Sequence, residues 1–107
     1  MSATFVQVQA LVRAKKARPT QHCYASFAKR GILFADVICG VDSGLVLEDY
    51  PEFHLGPSVL VLQKDLIGKP LHVVWGIEKD TTEPAMVVTA YYPDPSKWSA
   101  DFKSRKT

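Results

Sequence analysis

The feature that most constrains the fold is a pair of β-branched and aromatic runs in the second half of the 107-residue chain. In the first run, residues 71–78, large apolar side chains alternate with His72, Val74 and Gly76, which is the period of two expected of a strand with one face in a core. The second run is residues 86–92, and the polar link between the runs has the length of an ordinary hairpin loop. The sequence therefore predicts a β-hairpin that directs His72 to the face opposite four core residues, Leu71, Val73, Trp75 and Ile77.

The patterns on either side of the hairpin predict helices first and strands afterwards, with a last short helix that begins near Pro95. Glutamines that alternate with small apolar residues near the N-terminus leave a strand open as the alternative for the first segment. The predicted helices are residues 3–17, 21–30, 32–43 and 96–102, and the predicted strands are residues 45–50, 59–64, 71–78 and 86–92.

These elements predict one α+β domain, in which N-terminal helices pack on a four-stranded, mainly antiparallel and curved sheet. The helical part is residues 1–44, the sheet is residues 45–92, and a short C-terminal helix with a loose tail occupies residues 93–107. One face of the sheet is left without helices and is available for another role.

Composition favours a cytoplasmic protein. Cys23 and Cys39 have no metal-type spacing, and both are expected to be small buried residues in a reducing compartment. No apolar run is long enough to cross a bilayer, and no basic segment precedes the N-terminal apolar residues as it does in a secretory signal. Nucleotide fingerprints and phosphate-binding glycine loops do not occur, so neither a cofactor nor a membrane partner is predicted.

Basic residues gather at the two ends of the chain. Residues 1–31 contain no acid, and residues 96–107 contain only Asp101, whereas every other acid lies in the range from Asp36 to Asp94. If the two ends meet in the fold, they form a positive surface that favours an anionic partner. A solvated helix face with a frayed tail explains such clusters equally well.

Short motifs along residues 20–106 carry a family resemblance. They are His22, Lys29-Arg30-Gly31-Ile32, Asp36-Val37, Gly44, Pro57, Leu60, Pro70-Leu71-His72-Val73-Val74, Thr89-Ala90-Tyr91, Pro93-Asp94, Trp98, Phe102 and Arg105. In this order and spacing they resemble a family of small uncharacterised bacterial proteins of the domain-of-unknown-function type. That family in turn resembles the BrnT-type and RelE-type ribonuclease toxins of toxin–antitoxin pairs.

The resemblance implies a RelE-like fold whose sheet cradles RNA, and a partner antitoxin that holds the protein inactive. It does not imply DNA as a direct partner. Two positions depart from the family pattern: Ser26 stands where relatives often carry Arg, and Leu33 stands where they often carry a polar N-cap. Without a phosphate-binding Arg at position 26, weaker catalysis is expected.

RNA cleavage without a metal needs a base for the 2′-OH proton, an acid for the leaving 5′-oxygen and cations for the developing phosphorane charge. His72 is the candidate base or acid, Tyr91 the candidate to orient a phosphate or stack on a base, and His22 the second histidine. Val87, Thr89 and Tyr91 are expected on the face that His72 uses. The candidate phosphate-binding residues are Lys29, Arg30 and Arg105.

Each of these candidates has a structural alternative. A strand histidine is often a hydrogen-bonded structural residue, and Tyr91 could serve packing alone. A zinc site of His22, Cys23, Cys39 and His54 matches no usual spacing and is not expected. The sequence predicts a toxin-like RNA endonuclease or RNA-binding relative, and leaves open a non-catalytic module that docks a protein through a strand edge or an aromatic patch.

Overall fold

In the computed structural model, which describes residues 2–106, the chain folds into three helices and one five-stranded sheet. The α+β class is as predicted, but the sheet has five strands where the sequence predicts four. The helices are α1 (Ala3–Arg13), α2 (Gln21–Arg30) and α3 (Phe34–Cys39), and the strands are β1 (Ala17–Pro19), β2 (Leu45–Tyr50), β3 (Ser58–Lys64), β4 (Pro70–Ile77) and β5 (Ala85–Tyr91).

The strands lie in the order β1-β5-β4-β3-β2. Strands β2 to β5 form the predicted antiparallel meander, and β1 adds to it in parallel with β5 over three residue pairs. The sequence predicts a first helix over residues 3–17, which is four residues longer than α1 and overlaps β1 only at Ala17. The helix ends at Arg13 because Lys15 adopts a positive φ of 60° and turns the chain towards the sheet.

Local capping chemistry sets the bounds of the next two helices. α2 has its predicted bounds, since the Thr20 hydroxyl accepts the Cys23 N–H at 3.1 Å and Gly31 takes a left-handed φ of 68°. α3 is shorter than the predicted residues 32–43. Leu33 stands at its N-cap without a side-chain hydrogen bond, and Gly40 follows its last turn.

All three helices pack on one face of the sheet. The four predicted inward residues of β4 are at most 2 % exposed, and the Trp75 indole N–H donates to the Gln63 side-chain oxygen at 2.8 Å. The prediction that Cys39 is buried is wrong, because this cysteine is exposed. The helices contribute Phe5, Val8, Cys23, Phe27 and Val37 to the core, and the strands contribute Val59, Val61, Leu71, Val73, Trp75, Ile77, Ala85, Val87 and Ala90.

Residues 93–106, here called the C-terminal segment, form turns and not the predicted helix. Trp98 and Arg105 form an isolated antiparallel bridge, and the Lys106 N–H donates to the Lys97 carbonyl at 2.9 Å, so the part of the tail that the structure describes is tied down. Thr107 lies outside the described residues. Side chains that accept backbone N–H groups nearby favour turns over a helix. The accepting carboxylates are Asp94 and Asp101.

Candidate functional site

His72 lies on the face of the sheet opposite the helices, as predicted, but it is not open to solvent. Its side chain is 0 % exposed in β4, between Leu62 of β3 and Tyr91 of β5. The C-terminal segment folds over it, and the Trp98 ring meets the imidazole edge-on with 4.3 Å between ring centroids. The expectation of an open histidine is wrong because a strand period predicts the face of a residue and not what covers that face.

Both ring nitrogens of His72 have hydrogen-bond partners. Nε2 lies 2.8 Å from the Phe102 carbonyl oxygen, and Nδ1 lies 3.2 Å from the Tyr91 phenol oxygen. A carbonyl only accepts, so Nε2 carries the hydrogen, and in the neutral ring Nδ1 accepts the Tyr91 hydroxyl. Burial lowers the pKa of His72, and the bond to Phe102 opposes this only in part. The imidazole is therefore held neutral, with Nδ1 oriented to take up a proton.

Tyr91 is the member of this pair that reaches a solvent-accessible surface. It pairs directly with His72 across β5 and β4, and it is half-buried. Burial raises the pKa of Tyr91, and nearby guanidinium groups counteract this only in part, so the phenol keeps its proton. Thr89 shares this face, but a register shift in the pairing of β5 with β4 places Val87 in the core, so the prediction for Val87 is wrong.

An open cleft of about 620 Å³ extends from Tyr91 along the C-terminal segment, and we call it the cationic cleft. Asp94 supplies the one acidic side chain of its lining and is engaged locally, because the Ser96 N–H and hydroxyl both donate to its Oδ1 at 2.8 Å. Basic side chains outnumber it, so the cleft offers cations beside a protonated phenol. The basic residues of the lining are Lys97, Arg105 and Lys106, and Tyr92 and Trp98 complete the wall.

Arg105 is held in place from two sides. Its guanidinium lies 4.9 Å from the centre of the Trp98 ring, and its Nη2 lies 3.2 Å from Oε1 of Glu48 on β2. The Arg105 side chain is 56 % exposed, so each contact is weak alone. Together they fix the direction of the guanidinium at the rim of the cleft.

Arg30 reaches the same end of β5 from the last turn of α2. Its Nη1 donates to the Ala90 carbonyl at 2.7 Å and to the Thr89 hydroxyl at 3.3 Å. The guanidinium of Arg30 therefore lies beside the C-terminal end of β5, where it contacts the two residues that precede Tyr91. Lys29 is exposed beside it on the same helix end.

The structure does not bring His22 to this place. His22 is exposed on the first turn of α2, on the helix-bearing face, whereas His72 and Tyr91 occupy the opposite face. The sheet separates the two histidines, so they cannot act on one phosphate in this fold. Sequence reasoning also missed Lys97 and Lys106 as site residues, although the basic C-terminal end of the chain is the signal for them.

Within residues 2–106, no three His, Cys, Asp or Glu side chains group closely enough to hold a metal ion. None of the helices in that described part is both long and apolar enough to span a bilayer.

The fold and the cleft together define a small α+β protein with a candidate anion-binding surface. A family model, Domain of unknown function (DUF4258), matches residues 20–92, which is more than half of the chain. The chain therefore belongs to the DUF4258 family. The match runs from the N-cap of α2 to the residue after β5, so it contains His72 and Tyr91 and ends before the C-terminal segment. No curated protein and no solved structure matches the chain.

Proposed function

We propose that this chain is a toxin-like, RNA-binding protein of a bacterial toxin–antitoxin pair, with a RelE-like fold and metal-independent RNA cleavage. The carrying observation is one open cleft that joins Tyr91 to three basic side chains, with the neutral imidazole of His72 directly behind the phenol. The family resemblance along the chain supports the same class. The protein acts in the cytoplasm, where a cognate antitoxin keeps it inactive.

RNA binds through its phosphates and its unstacked bases. Lys97, Arg105 and Lys106 neutralise neighbouring phosphates along the cleft, which makes binding weaken as the salt concentration rises. Tyr92 and Tyr91 offer aromatic surface in the same cleft, on which the bases of a single strand can stack.

Proton transfer passes through Tyr91, so the buried histidine does not need to touch RNA. The ribose 2′-OH gives its proton to the Tyr91 oxygen while the Tyr91 proton moves to Nδ1 of His72. The 2′-oxygen attacks phosphorus, and the cations of the cleft stabilise the phosphorane charge. The 5′-oxygen leaves with a proton from water, which gives a 2′,3′-cyclic phosphate and a 5′-hydroxyl. His72 then returns its proton through Tyr91 to the hydroxide that remains, which restores the starting state of both residues.

The binding step is tested with a labelled single-stranded RNA at roughly 50 and 200 mM salt. The double variant Lys97→Gln/Lys106→Gln loses two phosphate contacts, so its plot of log affinity against log salt should be shallower by about 1.4. The matched control is Lys15→Gln/Lys79→Gln, which removes the same charge from two exposed positions outside the cleft. Equal slopes for the two double variants would remove the cleft from RNA binding.

The cleavage step is tested by induced expression in a bacterial host, with total RNA and mRNA followed over time. The wild-type chain should arrest growth and degrade mRNA. Tyr91→Phe keeps the aromatic ring but loses the proton relay, so it should bind RNA with a Kd within about threefold of wild type and leave mRNA intact. Unimpaired growth and intact mRNA with the wild-type chain would refute the toxin proposal.

A further inference from the structure

We propose that Leu33, Leu66 and Ile67 form a docking site, here called the aliphatic patch, for a protein partner whose contacting segment is apolar and acidic. Their exposed fractions are 64, 59 and 87 %. Large aliphatic side chains that gather on a protein surface mark interaction sites more often than isolated ones do. This inference does not rest on RNA binding, because it concerns a different surface and a different class of partner.

One carboxylate brings the patch together. Asp36 accepts the Leu33 N–H at 2.9 Å on Oδ2 and the Leu66 N–H at 3.2 Å on Oδ1. Leu33 precedes α3 and Leu66 follows β3, so Asp36 ties two distant parts of the chain side by side. Asp36 is itself 7 % exposed, which shields both hydrogen bonds from water. The grouping of the two leucines is therefore a fixed feature of the fold.

A second buried carboxylate fixes the turn that carries Ile67. Asp65 Oδ1 accepts the N–H groups of Ile67 and Lys69 at 3.0 and 2.8 Å, and Oδ2 accepts the Tyr92 hydroxyl at 2.8 Å. Burial opposes ionisation of Asp65, but these hydrogen bonds outweigh burial and lower its pKa. The turn is thus rigid although its tip is exposed, and a rigid tip loses little entropy when a partner covers it.

Leucine at position 33 is unfavourable for the stability of the isolated chain. It occupies the N-cap of α3, where Ser, Thr, Asp or Asn would accept a backbone N–H, and it makes no side-chain cap bond. The leucine is also mostly exposed, so it contributes little to the core. A position that breaks a local rule without a compensating contact inside the chain points to a role outside it.

The charged residues around the aliphatic patch indicate the charge that a partner segment must carry. Within three positions of its members, the exposed charged side chains are Arg30, Lys64 and Lys69, whereas the two acids there are buried and hydrogen-bonded. Lys69 Nζ lies 4.3 Å from the centre of the Tyr92 ring, and Tyr92 also lines the cationic cleft. Positive surface therefore continues from the patch to the cleft. A segment that covers the patch must bring apolar side chains flanked by Asp or Glu.

A protein partner fits these observations better than a lipid surface. A single myristoyl chain gives only marginal membrane binding, and three leucine-sized side chains offer no more apolar carbon than that chain. Three fixed apolar anchors with a basic rim match the layout of a protein contact, in which an apolar centre is surrounded by a polar rim.

The test is selection of peptides from a random display library on the wild-type protein, with counter-selection on Leu33→Ser/Ile67→Ser. Both positions are exposed and Ser is a good N-cap at position 33, so the variant should fold. The selected peptides should combine bulky apolar residues with net negative charge. A selected peptide should lose at least about tenfold in affinity on Ile67→Ser and keep it on Leu55→Ser, a comparable change at an exposed leucine outside the patch.

Three results would overturn the proposal. The first is a selection that enriches no peptides, or only basic or uncharged ones. The second is equal binding of the selected peptides to the wild type and to Ile67→Ser. The third is binding to vesicles of phosphatidylcholine and phosphatidylglycerol that Ile67→Ser abolishes, which would assign the patch to a membrane.

Discussion

Replacing His72 with Phe tests whether the imidazole ties the C-terminal segment to the sheet. Phe keeps a planar aromatic ring, somewhat larger than imidazole, but offers no donor to the Phe102 carbonyl and no acceptor to the Tyr91 hydroxyl. A carbonyl left facing an apolar ring costs about 1–3 kcal/mol, and the lost phenol bond costs about 0.5–1.5 kcal/mol because Tyr91 can turn to water. We expect the free energy of unfolding to fall by about 1.5–4.5 kcal/mol.

The same substitution should change how stability depends on pH. The pKa of His72 is lowered in the folded state by burial, so the unfolded chain binds this proton more readily. The folded protein therefore keeps its full stability above the ordinary histidine pKa of about 6.5. Part of the free energy of unfolding is lost as the pH falls through that value towards the pKa of His72 in the folded state. Each unit of lowering is worth about 1.4 kcal/mol. Aspartates with lowered pKa values, such as Asp65, titrate further towards acid and do not disturb this window.

Urea unfolding followed by tryptophan fluorescence at about pH 7.5 and about pH 5.5 measures both effects. Wild type should be less stable at the lower pH, and His72→Phe should be less stable than wild type at the higher pH with a smaller difference between the two conditions. Equal stability of the two proteins at the higher pH, or an unchanged pH difference in the variant, would show that the imidazole is not a buried link to the C-terminal segment.

Three further outcomes follow from local geometry. Leu33→Ser supplies the missing N-cap acceptor of α3 and should raise the free energy of unfolding by about 0.5–2 kcal/mol in urea titrations. Gly31→Ala adds strain alone, at φ 68° in open space, and should cost about 1–2 kcal/mol, whereas Gly56→Ala also drives a methyl group into the backbone after β4 and should cost clearly more in the same assay. Cys39 should react with a thiol reagent in the native protein, while Cys23, which is 1 % exposed, should react only on unfolding, as timed by absorbance.

The elements that the sequence predicts correctly are those specified by neighbours in the chain. The alternation from Leu71 to Ile77 fixes which side chains of β4 enter the core, and Thr20 with Gly31 fixes both ends of α2. Period and capping are short-range properties, so one sequence is enough to read them.

The elements that the sequence mispredicts depend on contacts between distant residues. β1 exists because three residues pair with the start of β5, nearly seventy positions away, and three residues show no period. Val87 enters the core because of a register shift, which alternation alone cannot reveal. In the C-terminal segment, the Asp101 carboxylate accepts the Lys103 N–H, and this competes with the helix that is predicted over residues 96–102.

The candidate site is assembled from two parts of the chain that contribute different things. The family match ends at residue 92, and the part that it covers supplies His72 and Tyr91 as a pair fixed by adjacent strands. The C-terminal segment covers the His72 imidazole and excludes solvent from it. The same segment places Lys97 and Lys106 beside the phenol of Tyr91. Because Tyr91 touches both the sealed ring and the cleft, the proposed proton transfer requires no opening of the segment. Full burial of His72 is therefore compatible with chemistry at the surface, and because it lowers the pKa of the ring it keeps the imidazole neutral, with the lone pair of Nδ1 free to accept the Tyr91 hydroxyl.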